Sequence, residues 1–472
     1  MGAPETTPGL ESFVLDILGQ QPKINRLYTH LTLCFPLSDD LYSSSEAIVK
    51  ILTKGLERLS ENFPWVAGKV VRYDDGNFMI RPSGRSTHFI LKEYKEHHDG
   101  DPHDVPDWTT LENAKFPFSM LDELSIAPQK TLAVSSEESI SERPILVFLV
   151  QANLITGGLL LTFSAQHGSM DMRGQAQVMH LLAKACREEK FTGSELRNGN
   201  MNRENIIPLL DESDLGPDRP IPINPVGERD KTKTSPLKSH QQSQNNCTWA
   251  YFLFPDTSLA ALKSIALTTT PLGGFVSTDD ALSAFVWQSI TQARLPRIAK
   301  ADSIHYNSTL SRNVDVRRHF GIPESYPGLV IAATIHTAAI DVLSHESLGT
   351  LAAELRSALN ARSLKYKTCK LATIISKDRN SEMANFVPKG VPELDVRISS
   401  WAKENCSSLD FGFGKPVAVR RPRFREGARE GLVYFLPKSI DGEIAVGICL
   451  RDEDMERLKT DHQFSKFGRF IG

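Results

Sequence analysis

The chain is predicted to be an α/β protein, with α+β mixed sheets, in two domains. Its 472 residues exceed what a single core usually serves, and 40% hydrophobic with 24% charged residues is ordinary for a globular protein. Unbroken apolar runs alternate with segments of helical period in both halves. Residues 226–246, VGERDKTKTSPLKSHQQSQNN, hold one leucine and one valine among polar side chains, too little apolar surface to offset the entropy of ordering. A polar crossover linker at 226–247 is therefore expected between an N-terminal domain, 1–225, and a C-terminal domain, 248–472.

In order, residues 31–37 read as a strand. Residues 45–62 read as a helix with Ile48, Ile51, Leu52, Leu56 and Leu59 on one face, stopped before Pro64. PILVFLVQANL at 144–154 and GLLLTFSAQ at 158–166 are nearly continuous apolar runs, expected as strands buried on both faces and joined as a hairpin through Thr156-Gly157. HGSMDMRGQ follows, then a helix carrying Ala176, Met179, Leu182, Ala183 and Cys186. In the second half, Ser277 and Asp280 form a capping signal for a helix buried through Leu282, Phe285, Val286 and Ile290. A further helix is expected at 346–359, and strands at 431–436 and 443–450.

The formal net charge of −3 gives no sign of a polyanionic partner, so no nucleic-acid role is expected. Six cysteines are scattered without a CxxC and no zinc motif occurs, so free thiols and no metal are expected. Met1-Gly2 through Thr6 fits the short myristoylation pattern, but no polybasic second signal follows, and no signal peptide or membrane span is visible. A cytoplasmic monomer is the expectation.

HxxxD occurs three times, as His97/Asp101, His103/Asp107 and His167/Asp171. The first two sit in the charged, proline-broken stretch EYKEHHDGDPHDVPDW and read as solvated loop. His167 instead ends a buried strand and precedes a helix, where a rigid support can hold a catalytic group. An imidazole there suits proton abstraction near neutrality. Asp171 has two readings: it orients His167, or it turns away and anchors the loop to a cation. No G-x-S-x-G elbow is present, and Ser164 lies within the strand itself, so direct transfer is favoured over a covalent intermediate.

With DFGFGKP at 410–416, HGSMD resembles the BAHD acyltransferase family, whose HxxxD and DFGWG motifs occur in this order; Phe413 stands where the motif has tryptophan. A kinase reading of DFG fails because the glycine-rich loop and catalytic HRD are absent. FPWVAG (63–68), LLAKACR (181–187), FVSTDDALSAFVW (275–287), VDVR (314–317), YPGL (326–329) and SSWAK (399–403) narrow the resemblance to the fungal trichothecene 3-O-acetyltransferase group.

The resemblance implies two chloramphenicol-acetyltransferase-like domains with a channel between them. It also implies acetyl-CoA as co-substrate, no bound cofactor, and a small-molecule alcohol of fungal secondary metabolism as acceptor. His167 would be the general base. Asp171 would point away and pair with Arg317. Asp410, Gly412 and Gly414 would be structural. Ser399 and Trp401 would line the channel near the reacting carbonyl, one of them donating to its oxygen. For the coenzyme A phosphates, the helix start at Ser277-Thr278 and the cluster Arg420, Arg421, Arg423 and Arg425 are candidates. A peptide-synthetase condensation domain is set aside, because Gln166 and Met172 replace that family's second histidine and its glycine. A catalytically silent binding homologue is the non-enzyme alternative.

Overall fold

The computed structural model describes residues 12–37, 45–83, 88–94, 105–133, 145–215, 247–270, 274–300, 306–381 and 390–472. Among these residues the strands assemble into a five-stranded, a seven-stranded and a small four-stranded sheet. The five-stranded sheet is built on the expected hairpin. Phe148–Ile155 and Gly158–Gln166 pair antiparallel, and every residue of both is buried, which accounts for the unbroken apolar runs. Gly157 turns the chain at φ +80°, a conformation open to glycine at little cost.

Tyr28–Pro36 lies on the other side of Gly158–Gln166, in a register that sets Tyr28 opposite Gln166. That register brings Leu27 beside the histidine, whose backbone N–H donates to the Leu27 carbonyl at 2.8 Å. Helix Ser45–Asn62 has the predicted span, buries Ile48, Leu52, Leu56 and Leu59, and packs on helix Met172–Cys186.

The seven-stranded sheet belongs to the second half and runs in the order Ile331–Ala339, Asn307–Asp315, Val396–Ser400, Leu432–Phe435, Ile444–Arg451, Cys247–Phe254, Arg469–Phe470. Helices Thr278–Lys300, Asp256–Thr269 and Leu348–Ser357 pack together in the same half. Ser277 caps the first of them as its sequence indicates, its Oγ accepting from the Asp280 N–H at 3.2 Å.

The halves interlock. The short strand Ala418–Arg420 leaves the second half and pairs antiparallel with Tyr28–Pro36, placing Val419 opposite Leu33. One hydrophobic core holds Leu31, Leu33 and Phe163 together with Phe411, Phe413 and Val419. The DFGFG segment, assigned by position to the C-terminal domain, is thus packed into the body of the N-terminal one.

The stretch 226–246 lies outside the described residues; Cys247, placed at its end from sequence, already belongs to a strand. His97, Asp101 and His103 also lie outside them. Asp107 does not, and it caps helix Trp108–Ala114 by accepting from the Thr110 N–H at 2.7 Å. All six cysteines are free thiols. No helix among the described residues is long and apolar enough to cross a membrane.

Candidate active site

His167 sits where strand Gly158–Gln166 ends and the turn into helix Met172–Cys186 begins. It is half-buried and opens into a cavity of about 560 Å³. The first half contributes Tyr28, His167 and Asp171 to the cavity wall; the second contributes Ser399, Trp401 and Arg421. Nδ1 of His167 lies 3.5 Å from the Met170 carbonyl, so Nδ1–H donates to that carbonyl and Nε2 is left as the basic nitrogen. Burial holds this imidazole below its ordinary pKa; the Met170 carbonyl and Asp171 oppose that shift, and the Arg421 charge adds to it.

Asp171 faces away from the imidazole. Its Oδ1 accepts from the Gly174 N–H at 2.8 Å, capping the helix, and from Arg317 Nη2 at 2.9 Å. Its Oδ2 accepts from the Val330 N–H at 2.9 Å and lies 2.9 Å from Arg317 Nη1. Arg317 is 1% exposed and further bound to Asp315 and to the carbonyls of Tyr326 and Gly328. Of the two readings of Asp171, the geometry is that of the anchor.

Asp410 holds a tight turn, its Oδ1 accepting from the N–H groups of Gly412 at 2.8 Å and Gly414 at 3.0 Å. Both glycines have positive φ, +104° and +96°. Phe413, in the place of the motif's tryptophan, packs edge-on to Phe35 at 5.0 Å between ring centres. A Cβ on Gly414 would meet nothing within 4 Å, so its substitution isolates the backbone cost. Gly414→Ala is expected to lose roughly 1–2 kcal/mol of stability with kcat retained, read by chemical denaturation and turnover.

Ser399 and Trp401 both line the cavity, and they are not equivalent donors. The Trp401 Nε1–H is engaged, donating to Ser399 Oγ at 3.0 Å. That bond leaves the Ser399 hydroxyl proton available to the cavity.

The arginine cluster divides. Arg420, expected as a phosphate ligand, is buried beneath the surface and its guanidinium donates to the carbonyls of Phe116, Val419 and Lys115. It is corrected to a structural residue, because its donors are consumed by backbone. Arg423 pairs with Asp122, and Arg425 is exposed. Arg421 alone of the four lines the cavity. The helix start is corrected too. Both the N–H and the hydroxyl of Ser277 donate to Asp280, at 2.9 and 2.7 Å, and Asp279 and Asp280 set negative charge in the first turn. Ser277 and Thr278 stand outside the cavity wall, and the donors of Ser277 are taken up by Asp280, itself paired with Arg312 and Arg356.

Sequence reasoning missed Arg397 and Tyr434, which also line the cavity. A signal for Arg397 was present: two residues before Ser399 on one strand, it shares that strand face. Tyr434 carried none, since its place depends on the pairing of Ser399 with Tyr434 across two strands.

The model of the trichothecene 3-O-acetyltransferase-like N-terminal domain matches residues 27–186. An O-acetyltransferase of Cryptosporiopsis sp. (strain 8999) is 44% identical over 97% of this chain and 97% of its own length. The trichothecene 3-O-acetyltransferase of Fusarium sporotrichioides is 39% identical over 97% of each chain. The F. graminearum TRI101 structure with coenzyme A and deoxynivalenol superposes with a TM-score of 0.86 at 36% identity, covering 98% of this chain and 100% of that one. The chain belongs to the trichothecene 3-O-acetyltransferase-like family and is an acyl-CoA-dependent O-acyltransferase.

Proposed function

We propose that the protein moves acetyl from acetyl-CoA to a hydroxyl of a fungal secondary metabolite, a trichothecene-like sesquiterpenoid alcohol, with His167 as general base. The observation that carries this reading is the opening of a half-buried His167 into a cavity walled by both halves, with Nδ1 directed at the Met170 carbonyl. Nε2 takes the acceptor's hydroxyl proton as the oxygen attacks the thioester carbon. Ser399 Oγ–H faces the same cavity and donates to the carbonyl oxygen. The coenzyme A complex of a relative 36% identical supports the donor, and its deoxynivalenol supports the acceptor class. The same chemistry on another terpenoid, an alkaloid or a polyketide alcohol is the second reading, favoured by the O-acetyltransferase that is 44% identical and carries no trichothecene in its name.

The test is free-thiol release from acetyl-CoA against a panel of hydroxylated terpenoids, polyketides and alkaloids. Release that depends on a sesquiterpenoid alcohol supports the reading; release with no panel member sinks it. Direct transfer also predicts that acetyl-CoA alone leaves the protein mass unchanged. An acetyl adduct in the intact-mass spectrum would restore a covalent route.

A further inference from the structure

Arg421 is 2% exposed, yet its side chain forms part of the cavity wall. Nη2 donates to Thr131 Oγ1 at 3.2 Å, and Nε has no partner. Among the described residues Arg421 makes no direct ion pair: the carboxylate of Glu123 acts on it across Thr131, and Phe424, Tyr434 and Trp401 stand around it with ring centres at 4.5, 4.8 and 5.8 Å. Cation–π contact offsets only part of the cost of withdrawing a full charge from water, and a purely structural arginine has its donors consumed by carboxylates or, as in Arg420, by backbone carbonyls. The neighbouring Arg317 is held by the Asp171 carboxylate.

The position of this charge relative to the chemistry is specific. Trp401, one wall of the aromatic cage, donates its N–H to Ser399 Oγ, so the guanidinium, the indole and the serine hydroxyl form one cluster. His167 feels the same cation. The charged and polar groups acting on it are the Met170 carbonyl and Asp171, which favour protonation, and Arg421, which with burial opposes it.

We propose that Arg421 is a further catalytic residue, its guanidinium facing the thioester oxygen and stabilising the negative charge that develops there. The proposal rests on the acetyl-transfer reading. In the step, the acceptor oxygen bonds to the thioester carbon, the carbonyl π pair moves onto oxygen beside Arg421, and the hydroxyl proton passes to His167 Nε2. The pair then returns, the carbon–sulfur bond breaks, and the departing thiolate takes the proton from His167. A cation that no carboxylate contacts directly needs no ion pair broken to receive that charge. It also keeps His167 neutral before the step, which is the form a base requires.

The test compares Arg421→Met, which keeps the stacked bulk and removes the charge, with Arg421→Lys, which keeps a charge. Thiol release is followed with the panel alcohol that turns over fastest. Arg421→Met is expected to lower kcat roughly 10²–10³-fold with KM for acetyl-CoA nearly unchanged, and Arg421→Lys to recover part of the loss. The acid limb of kcat/KM should move to higher pH in Arg421→Met, because the imidazole loses a neighbour that depressed its pKa. A role confined to packing would move neither kcat alone nor that limb. An independent reading uses carbonyl-labelled acetyl-CoA bound to His167→Ala/Ser399→Ala enzyme, which lacks the serine donor and whose carbonyl stretch should still fall below that of free acetyl-CoA. A folded Arg421→Met with wild-type kcat and an unmoved acid limb overturns the proposal. So does an unshifted carbonyl stretch, which decides the matter if neither variant folds. Failure of the acetyl-transfer reading looks different, since wild-type enzyme would then release no thiol with any alcohol.

Discussion

His167→Ala is expected to lower kcat by roughly 10²–10⁴-fold while the Kd for acetyl-CoA stays close to that of the wild-type enzyme. The split follows from where the imidazole stands. It ends a strand at the cavity wall, with Nδ1 turned to the Met170 carbonyl and no carboxylate hydrogen-bonded to the ring. Removing it takes away the acceptor of the hydroxyl proton and leaves Arg421, Ser399 and Trp401 in place. Burial sets the pH dependence as well. Because it holds the imidazole below its ordinary range, the base stays neutral to lower pH than a free histidine. In wild-type enzyme the acid limb of kcat/KM should therefore fall below about 6.5, the unperturbed histidine value. Thiol release across pH reads the limb, and calorimetric titration with acetyl-CoA reads the binding. Near-normal turnover by His167→Ala would remove the base from the mechanism.

The second large effect is on stability. Arg317→Ala and Asp171→Asn are each expected to cost about 3–5 kcal/mol, because each leaves the partner charge buried and under-compensated. Asp171 is 4% exposed, and without Arg317 its carboxylate would keep only the Gly174 and Val330 N–H groups. In Asp171→Asn the helix cap survives, since asparagine caps as well as aspartate. What is lost is the charge that Arg317 needs, with Asp315 left as its carboxylate partner at a more exposed site. The two losses should not add: the double variant, lacking both charges, is expected to lose clearly less than the sum. Equilibrium denaturation of the four proteins measures this, and additive losses would show that the two residues act separately. Activity should fall with stability in these variants, because helix Met172–Cys186 starts five residues beyond His167 and its first turn is what Asp171 ties down.

How far the sequence could be read depended on whether a residue's fate was decided locally. The hairpin was legible because strands buried on both faces must be apolar throughout, and the helix at 45–62 because one face repeats and a proline follows. His167 was legible through its neighbours and not through HxxxD, which Asp107 satisfies while capping a helix. The arginine cluster was not legible. Arg420 and Arg421 are adjacent and identical in type, but Arg420 ends a strand and turns to the backbone carbonyls of Lys115 and Phe116, whereas Arg421 turns to the cavity. Only the pairing of residues 418–420 with 32–34 decides which is which, and nothing in three residues announces a partner that distant. At the helix start the capping signal was legible and its consequence was not: the same Asp280 that completes the cap takes up the serine's N–H and hydroxyl.

The excursion of Ala418–Arg420 has a consequence for expression and cleavage of the chain. That strand covers Thr32–Cys34 on the outer edge of Tyr28–Pro36, whose other side is already paired. A fragment ended at the polar stretch would leave this part of the edge bare, its amides and carbonyls unsatisfied in the way that templates aggregation. The matching C-terminal fragment would carry Phe411 and Phe413 without the core that receives them. Neither piece is expected to fold alone, so a nick between the halves should leave them held together, while separate synthesis should yield insoluble protein unless both are made in the same cell.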